Sequence, residues 1–123
     1  MYGIFVNENG CVPYPFAIVA RYKTIETRNK NMLSALVGKR VAVIRTGRGK
    51  VPTIIGEVDI VRSAFCPAAD FDKYYDQHLV QPGSKYACHS RGKWFYFLEN
   101  AKPCDHYALP SSAIRHGRSW CEF

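Results

Sequence analysis

Long hydrophobic runs are missing from this sequence. No stretch of the 123 residues approaches the roughly 18 consecutive apolar residues that a membrane-spanning helix needs. Residues 1–8 have no basic group ahead of an apolar segment, so the pattern of a secretory signal is missing too. Internal repeats, linkers and low-complexity segments are also lacking. We therefore expect a soluble, cytoplasmic protein without a membrane partner, folded as a single domain over residues 1–123, because this length supports one hydrophobic core.

Paired cysteines are absent as well. The five cysteines are an odd number at wide spacings and include no Cys-x-x-Cys pair. This pattern favours a reducing compartment, and it predicts neither a metal nor a cofactor. The pairs Cys88-His89 and Cys104-Asp-His106 would form a metal site only if the fold joined them.

Acidic residues are scarce in one segment, residues 21–50. This basic segment contains nine Lys or Arg and a single acid, Glu26, which gives it a net charge of +8 in a chain whose total is +7. A positive field of this kind attracts polyanions over a distance of about 8 to 10 Å. We therefore expect a nucleic-acid partner, and the alternative is a solvated basic surface that keeps the protein soluble.

The end of the basic segment is rich in glycine. Residues 46–52 contain Gly-x-Gly-Lys, but the longer spacing of a nucleotide phosphate loop and its following Ser or Thr are lacking. Two interpretations remain: a flexible basic flap that presents Arg48 and Lys50, or a plain turn.

Aromatic residues are plentiful, and their arrangement predicts a β-rich domain. Helices are expected at about 15–22 and 67–79, with one helical turn at 111–115. The aromatic residues of the second helix and His78 are predicted to face the core. Strands are expected at 2–6, 41–45, 54–63, 94–98, 107–110 and 119–123.

The loop predicted at 81–93 mixes basic groups with an aromatic ring. Tyr86 and Arg91 are its main candidates for contacts with a ligand. Single-stranded nucleic acids bind to such mixtures because cations contact phosphates and a ring stacks on a base, which contributes about 1 to 3 kcal/mol per base. A plain surface loop is the alternative.

The most informative segment is 21–28, which places Lys23, Glu26 and Arg28 in a potential strand. Period-two alternation puts Glu26 and Arg28 on one face of that strand. Glu26 could pair with both cations and leave guanidinium donors for a phosphate or a base edge. Alternatively, partial burial could lower the pKa of Lys23, so that its neutral amine accepts a proton. A purely structural ion-pair cluster is the third possibility.

These residues also carry a resemblance. The spacing Lys-x-x-Glu-x-Arg, followed by Gly38-Lys-Arg-Val-Ala-Val-Ile44, resembles the signature of the ASCH domain in the PUA superfamily, although Arg21 stands where that family usually has glycine. Trp94-Phe-Tyr-Phe-Leu-Glu-Asn100, with Pro103, and Gly56-Glu-Val-Asp-Ile60 are similar to further parts of the same fold. The resemblance implies an α+β fold: a small PUA-like β-barrel of about five to six mostly antiparallel strands with two to three short helices.

The resemblance also implies two functions. Some ASCH-like proteins are amidohydrolases that release acetate from N4-acetylcytidine with a Lys, a Thr three positions later and a separate Glu. Lys23 matches that Lys, but Glu26 occupies the Thr position, and Thr24, Thr27 or Glu57 would have to substitute. Other members are suspected of binding RNA, sometimes with nuclease activity.

We therefore predict an RNA-binding protein that recognises a base or modified nucleotide in a cleft beside the motif. The alternative is a small hydrolase for a modified nucleoside or RNA, with Lys23 as the base and Glu26 either orienting it or activating water. The partner is RNA or a modified nucleoside in either case. The predicted nucleic-acid-binding residues are Arg21, Lys23, Glu26, Arg28, Lys30, Arg48, Lys50, Tyr86 and Arg91.

Overall fold

The computed structural model describes residues 1–8 and 12–123, so that Cys11 lies outside the described residues. The other four cysteines are free thiols. The helical elements are α1 (Tyr14–Val19), a 3₁₀ turn (Ser34–Leu36), α2 (Ala68–Phe71), a second 3₁₀ turn (Asp72–Tyr74) and α3 (Tyr75–His78). The strands are β1 (Tyr2–Asn7), β2 (Ile25–Arg28), β3 (Lys39–Thr46), β4 (Thr53–Pro67), β5 (Gly92–Ala108), β6 (Ile114–His116) and β7 (Trp120–Glu122).

All seven strands form one curled sheet in the order β2-β5-β4-β3-β1-β7-β6. Only the pair β1 and β3 is parallel among the strand pairs of the described residues. The expected α+β fold with mostly antiparallel strands is therefore confirmed. The expected count of five to six strands is wrong, and the barrel is open, because the sheet ends at β2 on one side and at β6 on the other.

The extra strand is β6. Residues 111–115 were expected to form a helical turn, but Ile114–His116 pair with Trp120–Glu122 in a hairpin, with Arg115 opposite Cys121. Every residue of β6 is exposed, so its sequence has no period-two alternation to indicate a strand. This hairpin brings residues from the end of the chain next to β1.

The longest strand is β5, which spans 17 residues where two separate strands were expected. Pro103 lies within it, opposite Gly56 of β4. Proline has no N–H to donate, but β2 covers β5 only from Trp94 to Phe97, so Pro103 needs no partner on that side. A register shift between Ile54 and Gly56 marks a bulge at the same place.

The core lies inside the curl of the sheet, and α1 packs against it. Most of α1 is buried. The helical conformation does not continue past this element, because Arg21 adopts a left-handed φ of 69°. The helix therefore ends at Val19 and not near Tyr22. None of the helices among the described residues has the length and apolar character that crossing a bilayer requires.

The segment 68–78 is helical, as expected, but it is split by a 3₁₀ turn. Phe71 and His78 face the core and stack with ring centroids 4.2 Å apart. Tyr74 and Tyr75 are 39% and 36% exposed, so the prediction that they face the core is wrong. The change from α-helix to 3₁₀ geometry after Phe71 alters the angular spacing of the side chains, which turns these two rings outward.

Candidate functional site

A cavity of about 560 Å³ lies where the sheet stays open, between β2 on one side and β1 with the β6–β7 hairpin on the other. The segment from 23 to 32 contributes its floor, and β1, β5, α1 and the loop before β5 complete it. Its lining residues are Phe5, Val6, Asn7, Tyr14, Lys23, Glu26, Thr27, Arg28, Asn29, Met32, Thr46, Val80, Tyr86, Lys93, Arg115 and Arg118.

The floor of the cavity is an ion-pair cluster made by the sequence motif. Glu26 Oε2 accepts a hydrogen bond from Arg28 Nη2 at 2.9 Å, and Glu26 Oε1 lies 3.6 Å from Lys23 Nζ. The Thr27 main-chain N–H also donates to Glu26 Oε1, at 3.2 Å. The predicted pairing of Glu26 with both cations is therefore confirmed. Alternation along β2 places Arg28 beside Glu26, whereas Lys23 precedes β2 and reaches Glu26 from the segment before the strand.

Arg28 also connects the two sides of the opening. Its Nη2 donates to the main-chain carbonyl of Phe5 in β1, at 2.7 Å. β2 and β1 lie far apart in the strand order, so this side chain spans a gap that strand pairing leaves open. Glu26 and Phe5 together fix the guanidinium in one orientation at the cavity.

Lys23 is almost entirely buried, at 2% exposure. Its Nζ donates to the main-chain carbonyl of His78 at 2.5 Å and lies 4.9 Å from the centre of the Tyr14 ring. Burial disfavours the ammonium form, and although Glu26 opposes this effect, the pKa of Lys23 is lowered to about 8. The predicted lowering of this pKa is therefore confirmed, and a minority of Lys23 is neutral near physiological pH.

Glu26 is 7% exposed, yet it is ionised. Burial alone would raise the pKa of its carboxyl, but the charges of Arg28 and Lys23 outweigh burial, so the pKa lies below its ordinary value. The cavity therefore contains a buried carboxylate that accepts hydrogen bonds.

The main-chain carbonyl of His78, which accepts the hydrogen bond from Lys23, is held in place by contacts of the His78 ring. This ring is buried and uncharged near neutral pH, because burial lowers its pKa. The Val80 main-chain N–H donates to His78 Nδ1 at 2.9 Å, so Nε2 carries the hydrogen that is donated to the Phe71 carbonyl, also at 2.9 Å. These contacts position the His78 carbonyl that binds Lys23, and they identify His78 as a packed histidine.

A second buried lysine, Lys93, was not predicted. It is 4% exposed, its Nζ donates to the main-chain carbonyl of Tyr86, and burial lowers its pKa. A signal was available in the sequence: Lys93 lies two residues before Phe95 in an aromatic strand, so alternation puts it on the face of the core. Tyr86, which was predicted, packs edge-on against Tyr14 with ring centroids 5.8 Å apart.

Two arginines of the β6–β7 hairpin, Arg115 and Arg118, also line the cavity and were not predicted. The guanidinium of Arg115 lies 4.9 Å from the centre of the Phe5 ring. Nothing in the local sequence marks either residue, because only the strand order brings the hairpin to this opening. With them, the cavity is lined by two lysines and three arginines against the single carboxylate of Glu26.

Five predicted binding residues lie outside the cavity lining: Arg21, Lys30, Arg48, Lys50 and Arg91. Arg21 Nε donates to the Ala101 carbonyl at 2.8 Å, and Lys50 Nζ forms an ion pair with Glu8 at 3.2 Å. The other three are exposed on loops.

Acids from elsewhere in the chain also reach the basic segment. Arg40 pairs with Glu57 at 3.2 Å and with Asp59 at 3.0 Å, and Arg45 pairs with Glu8 at 3.8 Å. Glu57 therefore lies away from the cavity, whereas Thr27 lines it and Thr24 does not. The net charge of the basic segment is thus partly neutralised within the folded chain.

No group of three or more His, Cys, Asp or Glu is placed to hold a metal ion within residues 1–8 and 12–123. The pairs Cys88-His89 and Cys104-Asp-His106 are accordingly not joined into such a group. The electrostatics of the cavity come from Lys, Arg and Glu26.

Comparison with solved structures identifies similar folds. The ASCH protein from Zymomonas mobilis superposes with a TM-score of 0.72 at 18% sequence identity, over 88% of this chain and 73% of that protein. A Tyr-to-Phe variant of the same protein gives a TM-score of 0.71 at 19% identity, over 88% of this chain and 75% of the other. A Ser-to-Ala variant gives 0.68 at 18% identity, over 87% and 74%. No protein-family model and no curated protein matches the sequence.

Proposed function

Because the chain has the fold of the ASCH domain, we propose that it is an RNA-binding protein that takes one unstacked base or modified nucleotide into the cavity beside Lys23, Glu26 and Arg28. The observation that carries this proposal is the buried carboxylate of Glu26, which stands among cations and aromatic rings in a cavity of about 560 Å³. That volume lies within the range of about 300 to 1,000 Å³ that is typical of small-molecule sites.

The chemistry of the cavity supports a nucleobase as the ligand. A carboxylate has about four acceptor positions; Glu26 uses two for the hydrogen bonds from Arg28 and Thr27, and Lys23 Nζ lies 3.6 Å from Oε1. The position left on Oε2 can accept from an amino group on a base edge, as carboxylates do from cytosine N4. The rings of Phe5, Tyr14 and Tyr86 supply apolar faces beside it. Single-stranded RNA is the partner that presents unstacked bases with exposed edges.

One observation favours a second candidate, a hydrolase that acts on a modified nucleoside or RNA. Lys23 has a pKa of about 8 and lies 3.6 Å from Glu26, so a minor neutral fraction of this amine can accept a proton at neutral pH. For an N-acylated base, Lys23 would take a proton from water while the water oxygen bonds to the acyl carbon. The C–N bond then breaks, the leaving amine takes the proton from Lys23, and a carboxylic acid is released.

A panel assay separates these candidates. The full chain is incubated with short RNA oligonucleotides and with N4-acylated cytidines, and both binding and product are measured. The variant is Lys23→Ala, and the matched control is Lys102→Ala, which removes an exposed lysine from β5 outside the cavity. Binding without product, weakened in Lys23→Ala but not in the control, supports the RNA-binding proposal.

Two other results change the conclusion. Product formation that Lys23→Ala abolishes, with the fold intact by circular dichroism, supports the hydrolase. If no member of the panel binds and Arg28→Ala changes only thermal stability, the cluster is a structural ion-pair network and both candidates fail.

A further inference from the structure

We propose that an arginine cluster, formed by Arg28, Arg115 and Arg118, binds the phosphate group of the ligand, so that the cavity selects phosphorylated nucleotides over neutral nucleosides. This inference rests on the proposed function, because it concerns the same cavity. It adds a ligand class and a role for the β6–β7 hairpin, which neither the motif nor the resemblance includes.

The first observation is that the hairpin arginines have no carboxylate partner. Neither Arg115 nor Arg118 forms an ion pair with any residue in the described part of the chain. The hairpin's one acid, Glu122, pairs instead with His116 at 2.7 Å. Alternation along β6 puts His116 on the face opposite to Arg115, so Glu122 is turned away from the cavity. The positive charges of Arg115 and Arg118 therefore face the cavity without a neighbouring carboxylate among the described residues.

The second observation concerns Arg28. Both of its hydrogen bonds, to Glu26 Oε2 and to the Phe5 carbonyl, are made by Nη2. Nε and Nη1 have no partner among the residues that the structure describes. Since Nη2 is held at both contacts, the remaining donors are fixed in direction. A guanidinium held in this way can still donate a charge-assisted hydrogen bond from Nη1 to a phosphate oxygen, with Nη2 remaining on Glu26 and Phe5.

The third observation is that the lysines of the cavity are already engaged. Lys23 Nζ donates to the His78 carbonyl, and Lys93 Nζ donates to the Tyr86 carbonyl. Both lysines have lowered pKa values because of burial. The permanent positive charge available to a ligand therefore belongs to the arginines. A neutral nucleoside would leave that charge unmatched, whereas a phosphate would neutralise it.

The proposal is tested by calorimetry with three probes: cytidine, a cytidine monophosphate, and a short cytidine-rich RNA without terminal phosphates. Each is titrated into the full chain and into Arg115→Ala, Arg118→Ala and the control Arg62→Ala. Arg115 and Arg118 are exposed, so removing them leaves the core unchanged. Arg62 is a matched control because it is exposed and its guanidinium lies over the Phe97 ring outside the cavity lining.

We expect Arg115→Ala and Arg118→Ala each to weaken binding of the phosphate-bearing probes about ten- to a hundredfold, as expected for one charge-assisted hydrogen bond, and to leave cytidine binding unchanged. If the variants bind the mononucleotide more weakly than the wild type does, the ligand group is a terminal phosphate. If only their affinity for the RNA is reduced, the ligand group is a backbone phosphate. Equal affinity of the variants and the wild type for both phosphate probes overturns the cluster while leaving the proposed function standing. If no probe binds, both proposals fail together.

Discussion

At the scale of single residues, Lys23 is the side chain whose chemistry depends most on its surroundings. Its pKa of about 8 lies below the ordinary lysine value of about 10.4, because burial disfavours the charge. We predict a lysine Nζ signal in the NMR spectrum that titrates near pH 8 and disappears in Lys23→Met. A midpoint near the ordinary value would contradict the buried position of this amine.

The same shift has a consequence for stability. The unfolded chain binds more protons than the folded chain between about pH 8 and 10.5, so the cost of burying charged Lys23 is complete below pH 8 and disappears as the pH rises toward 10.5. Urea unfolding of the wild type and of Lys23→Met should therefore show the wild type gaining free energy of unfolding relative to the variant over this interval.

Glu26 provides the counter-charge for both motif cations. We predict that Glu26→Gln lowers the free energy of unfolding at neutral pH by about 2 to 3 kcal/mol, because Arg28 and Lys23 lose a buried partner. Neutralisation of Lys23 limits the loss. The matched control is Glu57→Gln, which removes a partly exposed pair with Arg40 and should cost less than about 1 kcal/mol.

The acid dependence of Glu26→Gln follows from the sign of its shift. Since the folded pKa of Glu26 is lower than its unfolded value, the contribution of this carboxylate is complete at neutral pH and is lost as the pH falls through the folded pKa. The difference between wild type and Glu26→Gln in urea unfolding should therefore shrink in acid. If Glu26→Gln and Glu57→Gln lower the free energy of unfolding equally at neutral pH, burial of the Lys23–Glu26–Arg28 cluster does not strengthen its ion pairs.

At the scale of secondary-structure elements, the pairing of β4 with β5 depends on a close approach at Gly56. A Cβ added there would lie 2.4 Å from the Lys102 carbonyl oxygen and 2.5 Å from a methyl of Val19 in α1. We predict that Gly56→Ala lowers the free energy of unfolding by about 3 kcal/mol, because main chain cannot move aside as a flexible side chain does.

A matched control for this prediction is Gly38→Ala. Gly38 has a left-handed φ of 85°, but no atom lies within 4 Å of the added Cβ. Its cost, measured by the same urea unfolding, should be about 1 to 2 kcal/mol from backbone strain alone. A smaller loss for Gly56→Ala than for Gly38→Ala would mean that β4 and β5 can separate without disturbing α1.

The elements differ in how far the sequence determines them. β3 was predicted because apolar residues run together where both faces are covered, and β1 because a short strand-like segment is followed in the sequence by turn-forming residues. The full length of β5 was not predicted, since Pro103 ends most strands and is tolerated here only because that part of β5 has a single neighbour. β6 was not predicted because all of its side chains are exposed and because it forms only by pairing with β7.

The candidate site shows the same division. Lys23, Glu26 and Arg28 lie within six positions of each other, and strand periodicity was sufficient to predict that Glu26 and Arg28 share a face, while Lys23 joins them from the segment just before β2. Arg115 and Arg118 reach the cavity through the order of strands in the sheet, which local sequence does not encode. Lys93 lies between these cases, because its place in an aromatic strand indicated burial but not its partner.

At the scale of the whole molecule, net charge and charge available to a ligand are different quantities. The chain has a formal charge of +7, and the basic segment alone has +8. Three of its cations, Arg40, Arg45 and Lys50, pair with acids from outside the segment. Within residues 1–8 and 12–123, Arg115 and Arg118 of the hairpin, which lie outside the segment, line the cavity without an ion-pair partner. The formal charge therefore overestimates the positive charge that the basic segment presents to a ligand, and the charge of that segment does not include the two arginines of the hairpin.

Because few cations face the cavity compared with the formal charge of the basic segment, we predict a shallow salt dependence for RNA binding. Each phosphate neutralised on a single strand contributes about −0.7 to the slope of log affinity against log salt concentration. Binding of one phosphate by Arg28, Arg115 and Arg118 predicts a slope near −0.7, whereas a backbone that follows the nine cations of the whole basic segment predicts a slope near −6. Arg118→Ala should weaken binding and keep the slope between 0 and about −0.7, and Arg62→Ala should leave both affinity and slope unchanged. A steep slope that Arg118→Ala does not alter would assign RNA binding to the basic segment outside the cavity.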